Sequence, residues 1–229
     1  MTIQLLHPLP SVQKDMLHSS GGNQAWSHNR NFQLCGCGVV ACLDLLIYLS
    51  RHHSGCEARA LSPFASEEPV PLPLYDQTAL SLSRRFLPLI PRLGLNGLSL
   101  ASGFNLFCLR QHIPYRAHWG VSAKNFWQTI RTQLQKDIPV ILSIGPNFPL
   151  FWQKNALVLY QKNEKGGYRR AADAIAHYVT VTGMDDDWLQ ISSWGRVFYI
   201  NRDEYQRYIK AHSNRIVSNI LCVERKEQT

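Results

Sequence analysis

One helix-forming segment, residues 37–52, is apolar around most of its circumference. Val40, Leu43 and Ile47 mark its main apolar face, other apolar side chains widen that face, and Asp44 and Ser50 interrupt it. A helix with so broad an apolar surface is stable only when other elements cover it on several sides. The sequence therefore predicts a central, largely buried helix around which the rest of the chain packs.

The same helix begins in an unusual run, Cys35-Gly36-Cys37-Gly38. Unpaired backbone N–H groups and the positive end of the macrodipole favour negative charge at a helix N-terminus, so a cysteine there becomes a better nucleophile. The effect fades beyond the terminal turn. Cys37 lies in that turn and is the preferred nucleophile, while Cys35, which lies just before it, remains the alternative.

Beyond residue 136 the chain changes from helical to strand-like patterns. This order predicts one α+β domain over residues 1–229, with an antiparallel sheet in the second half. Residues 1–34 have an irregular, polar sequence, and residues 53–73 have the composition of a loop. The further predicted helices span residues 74–89, 102–111, 123–136 and a segment that ends near 212, and the predicted strands span residues 138–144, 156–161, 176–182, 188–192, 196–200 and 216–224.

Composition limits the partners and the compartment. The net charge is +8, but the basic residues are scattered and lack interleaved aromatic residues, so we expect a solvated surface and no nucleic-acid partner. No apolar run approaches the ~20 residues that span a bilayer, so we expect no membrane partner. The N-terminus does not resemble a secretory signal, and six cysteines then favour reduced thiols in a cytoplasmic protein.

The motifs of common cofactor and metal sites are missing. The sequence contains no phosphate-binding glycine loop and no dinucleotide fingerprint, so we expect no cofactor. Cys35 and Cys37 with His52 and His53 could suggest zinc, but structural zinc sites use wider spacings, and we expect no metal.

A reactive thiol needs a base, and His177 is the best placed of the nine histidines. It opens the apolar strand at residues 176–182, where it shares a face with Val179 and Val181, and a packed helix could meet that face. An imidazolium there would stabilise the thiolate, whereas a hydrogen-bonded core histidine is the alternative. Ser192, on the next predicted strand, could accept the second imidazole N–H, and Trp194 could shield that hydrogen bond from water.

These features together resemble the papain-like cysteine peptidases. A Cys-Gly at a helix start, a later His that opens an apolar strand, and a Ser-Trp-Gly on the following strand occur in the order that the family uses. The run from His177 to Asp185, HYVTVTGMD, and the run from Lys136 to Ile141, KDIPVI, are similar to bacterial peptidases related to those that cleave double-glycine leader peptides. The resemblance spans roughly residues 30–210 and aligns the family nucleophile with Cys37.

The resemblance implies a papain-like fold and a thiol-dependent hydrolase that acts on a peptide or protein. The third family residue, Asn or Asp, matches Ser192, which cannot supply a negative charge. The family's oxyanion donor is a Gln about six positions before the nucleophile, which matches Asn31, or Asn29 if Cys35 is the nucleophile; Gln24 and Gln33 are alternatives. Acyl transfer or deamidation at the same site, or a non-catalytic binding role on the same fold, are the other functions to weigh.

Overall fold

The computed structural model describes residues 2–15, 17–66 and 68–226, so the predicted domain limits at residues 1 and 229 lie outside the described residues. The helices are α1 Arg30–Cys35, α2 Cys37–His52, α3 Leu72–Arg85, α4 Gly97–Gln111, α5 Phe126–Gln135 and α6 Arg202–His212, with short 3₁₀ turns at Gln24–Trp26 and Arg59–Phe64. The strands are β1 Ile3–Gln4, β2 Val12–Lys14, β3 Leu17–His18, β4 Val70–Pro71, β5 Tyr115–Trp119, β6 Val140–Ile144, β7 Leu157–Lys162, β8 Tyr168–Ala174, β9 His177–Met184, β10 Trp188–Ser193, β11 Arg196–Asn201 and β12 Ile220–Arg225.

A single antiparallel sheet dominates the second half of the chain. Among the described residues it contains nine strands in the order β5-β12-β6-β9-β10-β11-β7-β8, with β1 paired to β9. A separate small sheet joins β2, β3 and β4. Four of the six helices precede β5, and five strands of the large sheet follow one another from β7 to β11. This arrangement confirms the α+β prediction.

The large sheet has apolar layers on both faces. One layer combines the side chains of α2, α3 and α4 with residues of β5, β6 and β12, and the other combines α5 and α6 with residues of β6, β9, β10 and β11. In β6, Ile141 packs into the first layer, whereas Val140 and Leu142 pack into the second. Burial on both faces explains why this strand reads as a continuous apolar run.

Helix α2 is the central helix that the sequence predicts. Its residues from Gly38 to Leu49 are all buried, including Asp44. The helix begins at a glycine that also ends α1, because the Gly36 N–H donates to the Phe32 carbonyl at 2.8 Å while the Gly36 carbonyl accepts from the Val40 N–H at 3.0 Å. Cys37 therefore occupies the first position of α2, immediately after the junction of two helices.

Several elements differ from the sequence prediction. Residues 1–34 are not irregular throughout, since they contain α1 and three short strands. Helix α4 begins five residues earlier than expected because the Asn96 side chain caps it, accepting from the Ser99 N–H at 2.8 Å. Strand β8 was not predicted because it lies at the edge of the sheet with most of its side chains exposed, so its sequence lacks alternating apolar residues.

Gly97 begins α4 in close contact with an indole ring. A Cβ atom at this position would lie 1.9 Å from the Trp119 side chain. Replacing Gly97 with alanine is therefore expected to lower the free energy of unfolding by about 1–3 kcal/mol, the usual effect of overpacking. Urea unfolding measures this change. Ser99→Ala, at an exposed position of the same helix, is the control, and equal stability of the two variants would contradict the packing.

Candidate active site

Cys37 lies where the N-terminus of α2 meets the start of β9. Cys37 is half-buried, and the backbone N–H groups of Tyr178 and Gly38 face its sulfur. Burial raises the pKa of the Cys37 thiol, and these N–H groups act in the opposite direction with a smaller effect. Cys35 points elsewhere, because its thiol donates to the Asn31 carbonyl at 3.0 Å. The geometry thus favours Cys37 over Cys35 as the cysteine of the site.

Cys37 borders a small cavity that is lined by polar side chains of α2, β9 and β10. Its free volume is about 10 Å³, which is close to the space that one water molecule needs. The cavity is lined by Gly22, Gln24, Cys37, Val40, Ala41, Asp44, His177, Tyr178, Val179, Thr180, Ser192, Ser193 and Trp194.

His177 is the first residue of β9 and is only 7% exposed. Its ring is stacked on Trp194, with centroids 4.5 Å apart and planes within 18°. Ring nitrogen Nε2 lies 2.7 Å from the Ser193 Oγ. A neutral imidazole that donates from Nε2 to Ser193 keeps Nδ1 as its unprotonated ring nitrogen.

The hydrogen-bond partner of His177 is Ser193, not Ser192 as the sequence analysis expected. Successive side chains of a strand point to opposite faces of a sheet, so only one of two neighbouring serines can face the imidazole. The Ser192 hydroxyl instead donates to the Ser20 carbonyl at 2.5 Å. Trp194 does cover the ring, as its position in the sequence suggested.

Contrary to the sequence prediction, the face of β9 that meets α2 is not the face that His177 shares with Val179 and Val181. Val179 and Val181, which share its face by alternation, pack in the layer of α5 and α6. Helix α2 packs against the other face, where Tyr178 contacts Gly38. His177 lines the cavity with Cys37 because it is at the end of the strand, where residues of both faces border the same space.

The candidate oxyanion donors lie in different places. Asn31, the position expected from the resemblance, accepts the Cys35 thiol hydrogen and borders a groove next to α3. The Gln33 side chain donates to the Ser27 carbonyl at 2.7 Å. Gln24 is buried and lines the cavity with Cys37 and His177. Of these side-chain amides, Gln24 is the one that the fold brings to the thiol.

Burial also determines the resting charges of the pair. It lowers the pKa of His177 from 6.5 to about 4, in the direction opposite to the upward shift at Cys37. Both shifts favour the uncharged form. At neutral pH these directions favour an uncharged Cys37 thiol and an uncharged His177 imidazole, rather than the imidazolium expected from the sequence.

Asp44 is a polar residue of the site that sequence reasoning missed. It lies seven residues after Cys37, two turns along the same side of α2, and it lines the same cavity. Its carboxyl is 2% exposed, and burial raises its pKa from 3.8 to about 7. The signal was present in the sequence, because a carboxylate within an otherwise apolar buried helix is rare unless it has specific partners.

A scan against protein-family models finds no match to this chain, and a search of curated proteins also finds none. Within residues 2–15, 17–66 and 68–226, no group of three or more His, Cys, Asp or Glu side chains is placed to hold a metal ion. No helix in the described part of the chain is long and apolar enough to cross a membrane.

Proposed function

We propose that this protein is a thiol-dependent hydrolase of peptide or amide bonds in a peptide or protein substrate, with a papain-like fold. The observation that carries the proposal is the shared cavity, which Cys37, His177 and Gln24 all line. The six cysteines are free in the described structure, as suits a protein of the reducing cytoplasm. The sequence resemblance to bacterial cysteine peptidases supports the same chemistry.

In the proposed mechanism, His177 acts as a general base during the attack itself. The Cys37 Sγ bonds to the substrate carbonyl carbon while its proton moves to His177 Nδ1. The carbonyl oxygen becomes an oxyanion, to which the Cys37 backbone N–H and the Gln24 side-chain amide donate. The imidazolium then protonates the leaving amine, the C–N bond breaks, and a thioester on Cys37 remains.

The second half of the reaction reverses these proton transfers. A water molecule attacks the thioester carbon while neutral His177 accepts its proton, and the proton then returns to the departing Cys37 sulfur. Ser193 accepts from the Nε2–H and thereby holds the ring in the tautomer whose Nδ1 is basic. Trp194 covers the ring and keeps water from competing for this hydrogen bond.

Acetylation of the thiol by p-nitrophenyl acetate tests the proposal without knowledge of the natural substrate. We expect a burst of nitrophenolate that approaches one equivalent per chain, with the acetyl group on Cys37 by mass spectrometry. The burst is lost in Cys37→Ala and kept in Cys35→Ala, the matched control. If Cys37 is acetylated no faster than free cysteine at neutral pH, the proposal is wrong and a non-catalytic role gains support.

Product analysis separates hydrolysis from acyl transfer. With glycinamide added, a hydrolase releases mainly acetate, whereas an acyltransferase using the same pair of residues releases mainly acetylglycinamide. Predominant transfer at millimolar amine would replace the hydrolase assignment by the acyltransferase one.

A further inference from the structure

The segment that carries Gln24, residues 19–24, is fixed from several elements at once; we name it the Gln24 loop. The Ser20 carbonyl accepts from the Ser192 hydroxyl at 2.5 Å, and the Ser20 N–H donates to the Gly195 carbonyl at 3.0 Å. The Asn23 side chain donates to the Trp194 carbonyl at 3.1 Å. Strand β10 and the turn that follows it therefore hold both ends of this loop.

The middle of the Gln24 loop is held by α2 instead. Both carboxylate oxygens of Asp44 lie 3.1 Å from the Gly22 N–H, and the Tyr75 hydroxyl donates to Oδ1 at 2.7 Å. Asp44, Gly22 and Tyr75 are all buried. One carboxyl thus connects the nucleophile helix and α3 to the backbone two residues before Gln24.

The loop backbone lies directly against these groups. Gly21 has a φ of +73°, and a Cβ atom there would lie 2.5 Å from the Asp44 Oδ2 and 2.8 Å from the Ser192 Oγ. A Cβ atom at Gly22 would lie 2.2 Å from the Tyr75 hydroxyl oxygen. Because the loop has no side chains at these two positions, the carboxyl reaches its backbone without an intervening layer.

The environment of Asp44 is costly for a carboxyl group. The Tyr75 hydroxyl and the Gly22 N–H contact it, and among the ion pairs of the described residues none includes Asp44. A buried carboxyl without a cation lowers stability, whereas an apolar residue at the same position would complete the apolar layer of α2. The structural contribution of this carboxyl is therefore its hydrogen bonds to the Gln24 loop.

We propose that Asp44 is a positioning residue that acts through Gly22 to hold the Gln24 amide beside the Cys37 thiol, where the oxyanion forms. This inference rests on the proposed hydrolase function and on Gln24 as its oxyanion donor. Asp44 itself does not touch the substrate. Asp44 belongs to the helix that carries Cys37, and its carboxyl binds the loop that carries Gln24. It therefore determines where Gln24 lies relative to the thiol.

The test uses N-acetylglycinal, an aldehyde that adds to the thiol. In the adduct the Sγ–carbon bond forms, and the thiol proton moves through His177 to the former carbonyl oxygen, the atom that Gln24 contacts. A ¹³C label on the aldehyde carbon reports the adduct by NMR, and titration gives its dissociation constant. Iodoacetamide alkylation serves as the reference reaction, since displacement of iodide forms no oxyanion.

We expect Asp44→Ala to weaken the aldehyde adduct about tenfold or more, as loss of an oxyanion donor does, while alkylation changes by less than about twofold. Gln24→Ala should have the same effect. The double variant should be no weaker than Gln24→Ala alone, because two residues that act through one interaction are not additive. Asp44→Asn, whose side-chain oxygen still accepts from Gly22, should recover most of the affinity.

The outcomes separate the two proposals. Additive losses in the double variant, or an Asp44→Ala adduct as stable as that of the unmodified protein, overturn the positioning role while leaving the hydrolase standing. Absence of any aldehyde adduct in the unmodified protein instead contradicts the proposed thiol chemistry. If Asp44→Ala does not fold by near-UV circular dichroism, Tyr75→Phe in the same cycle with Gln24→Ala decides, with additivity again as the contradicting result.

Discussion

Replacing His177 with glutamine is expected to slow the acetylation of Cys37 by about 10²–10⁴-fold, the usual contribution of a general base. Glutamine keeps a polar group near Ser193 but has no basic nitrogen for the thiol proton. Stopped-flow measurement of nitrophenolate release gives the rate, with Cys37→Ala as the background. A decrease of less than about tenfold would show that the thiol does not depend on this imidazole.

The neighbouring serines provide a sharper comparison at the same site. Ser193→Ala should slow alkylation by iodoacetamide about fivefold, the equivalent of one hydrogen bond of about 1 kcal/mol to the His177 ring. Ser192→Ala should leave alkylation within about twofold, because its hydroxyl supports the Gln24 loop rather than the base. The opposite ranking would favour Ser192, as the sequence resemblance implied.

The second large effect concerns the dependence of stability on pH. The folded-state pKa of His177 is lowered from 6.5 to about 4, so between these values the unfolded chain binds more protons and stability is lost as the pH falls. The folded-state pKa of Asp44 is raised from 3.8 to about 7, so in nearly the same window the folded chain binds more protons and stability is lost as the pH rises. The two contributions, about 3 and about 4 kcal/mol in size, oppose each other.

Single variants should uncover these opposed contributions. Relative to the unmodified protein, Asp44→Asn should gain stability as the pH rises from 4 to 7, and His177→Gln should lose stability as the pH rises from 4 to 6.5. Urea unfolding at four pH values measures both differences, in which all other titrating groups cancel. Parallel stability curves for the three proteins would mean that neither group has a shifted pKa.

Sequence patterns predicted the elements that bury most of their side chains. The limits of α2 agree with the predicted residues 37–52, and the strands from β9 to β11 lie within two residues of their predicted ends. Apolar patterns determine such elements because extensive burial leaves few polar residues between their ends. Strand β8 and helix α1, which bury fewer side chains, leave no comparable pattern in the sequence.

The site was predicted less completely, because its polar groups are brought together by register and loop geometry. The choice between Ser192 and Ser193 depends on which face of β10 meets the imidazole, and one residue of register reverses it. Gln24, thirteen positions before Cys37, lines the same cavity because Asp44 and Ser192 hold its loop there. Neither long-range hydrogen bonds nor the path of a loop can be read from residue spacing.

The junction at Gly36 has a consequence for the electric field at Cys37. The carbonyl end of α1, which carries partial negative charge, meets the N–H end of α2, which carries partial positive charge, within one residue of Cys37. The two fields oppose each other there, so the helix N-terminus contributes little to ionising the thiol before a substrate arrives. The site should thus discriminate among electrophiles, reacting readily with carbonyl compounds, whose oxygen can engage Gln24, and slowly with reagents that require a thiolate formed in advance.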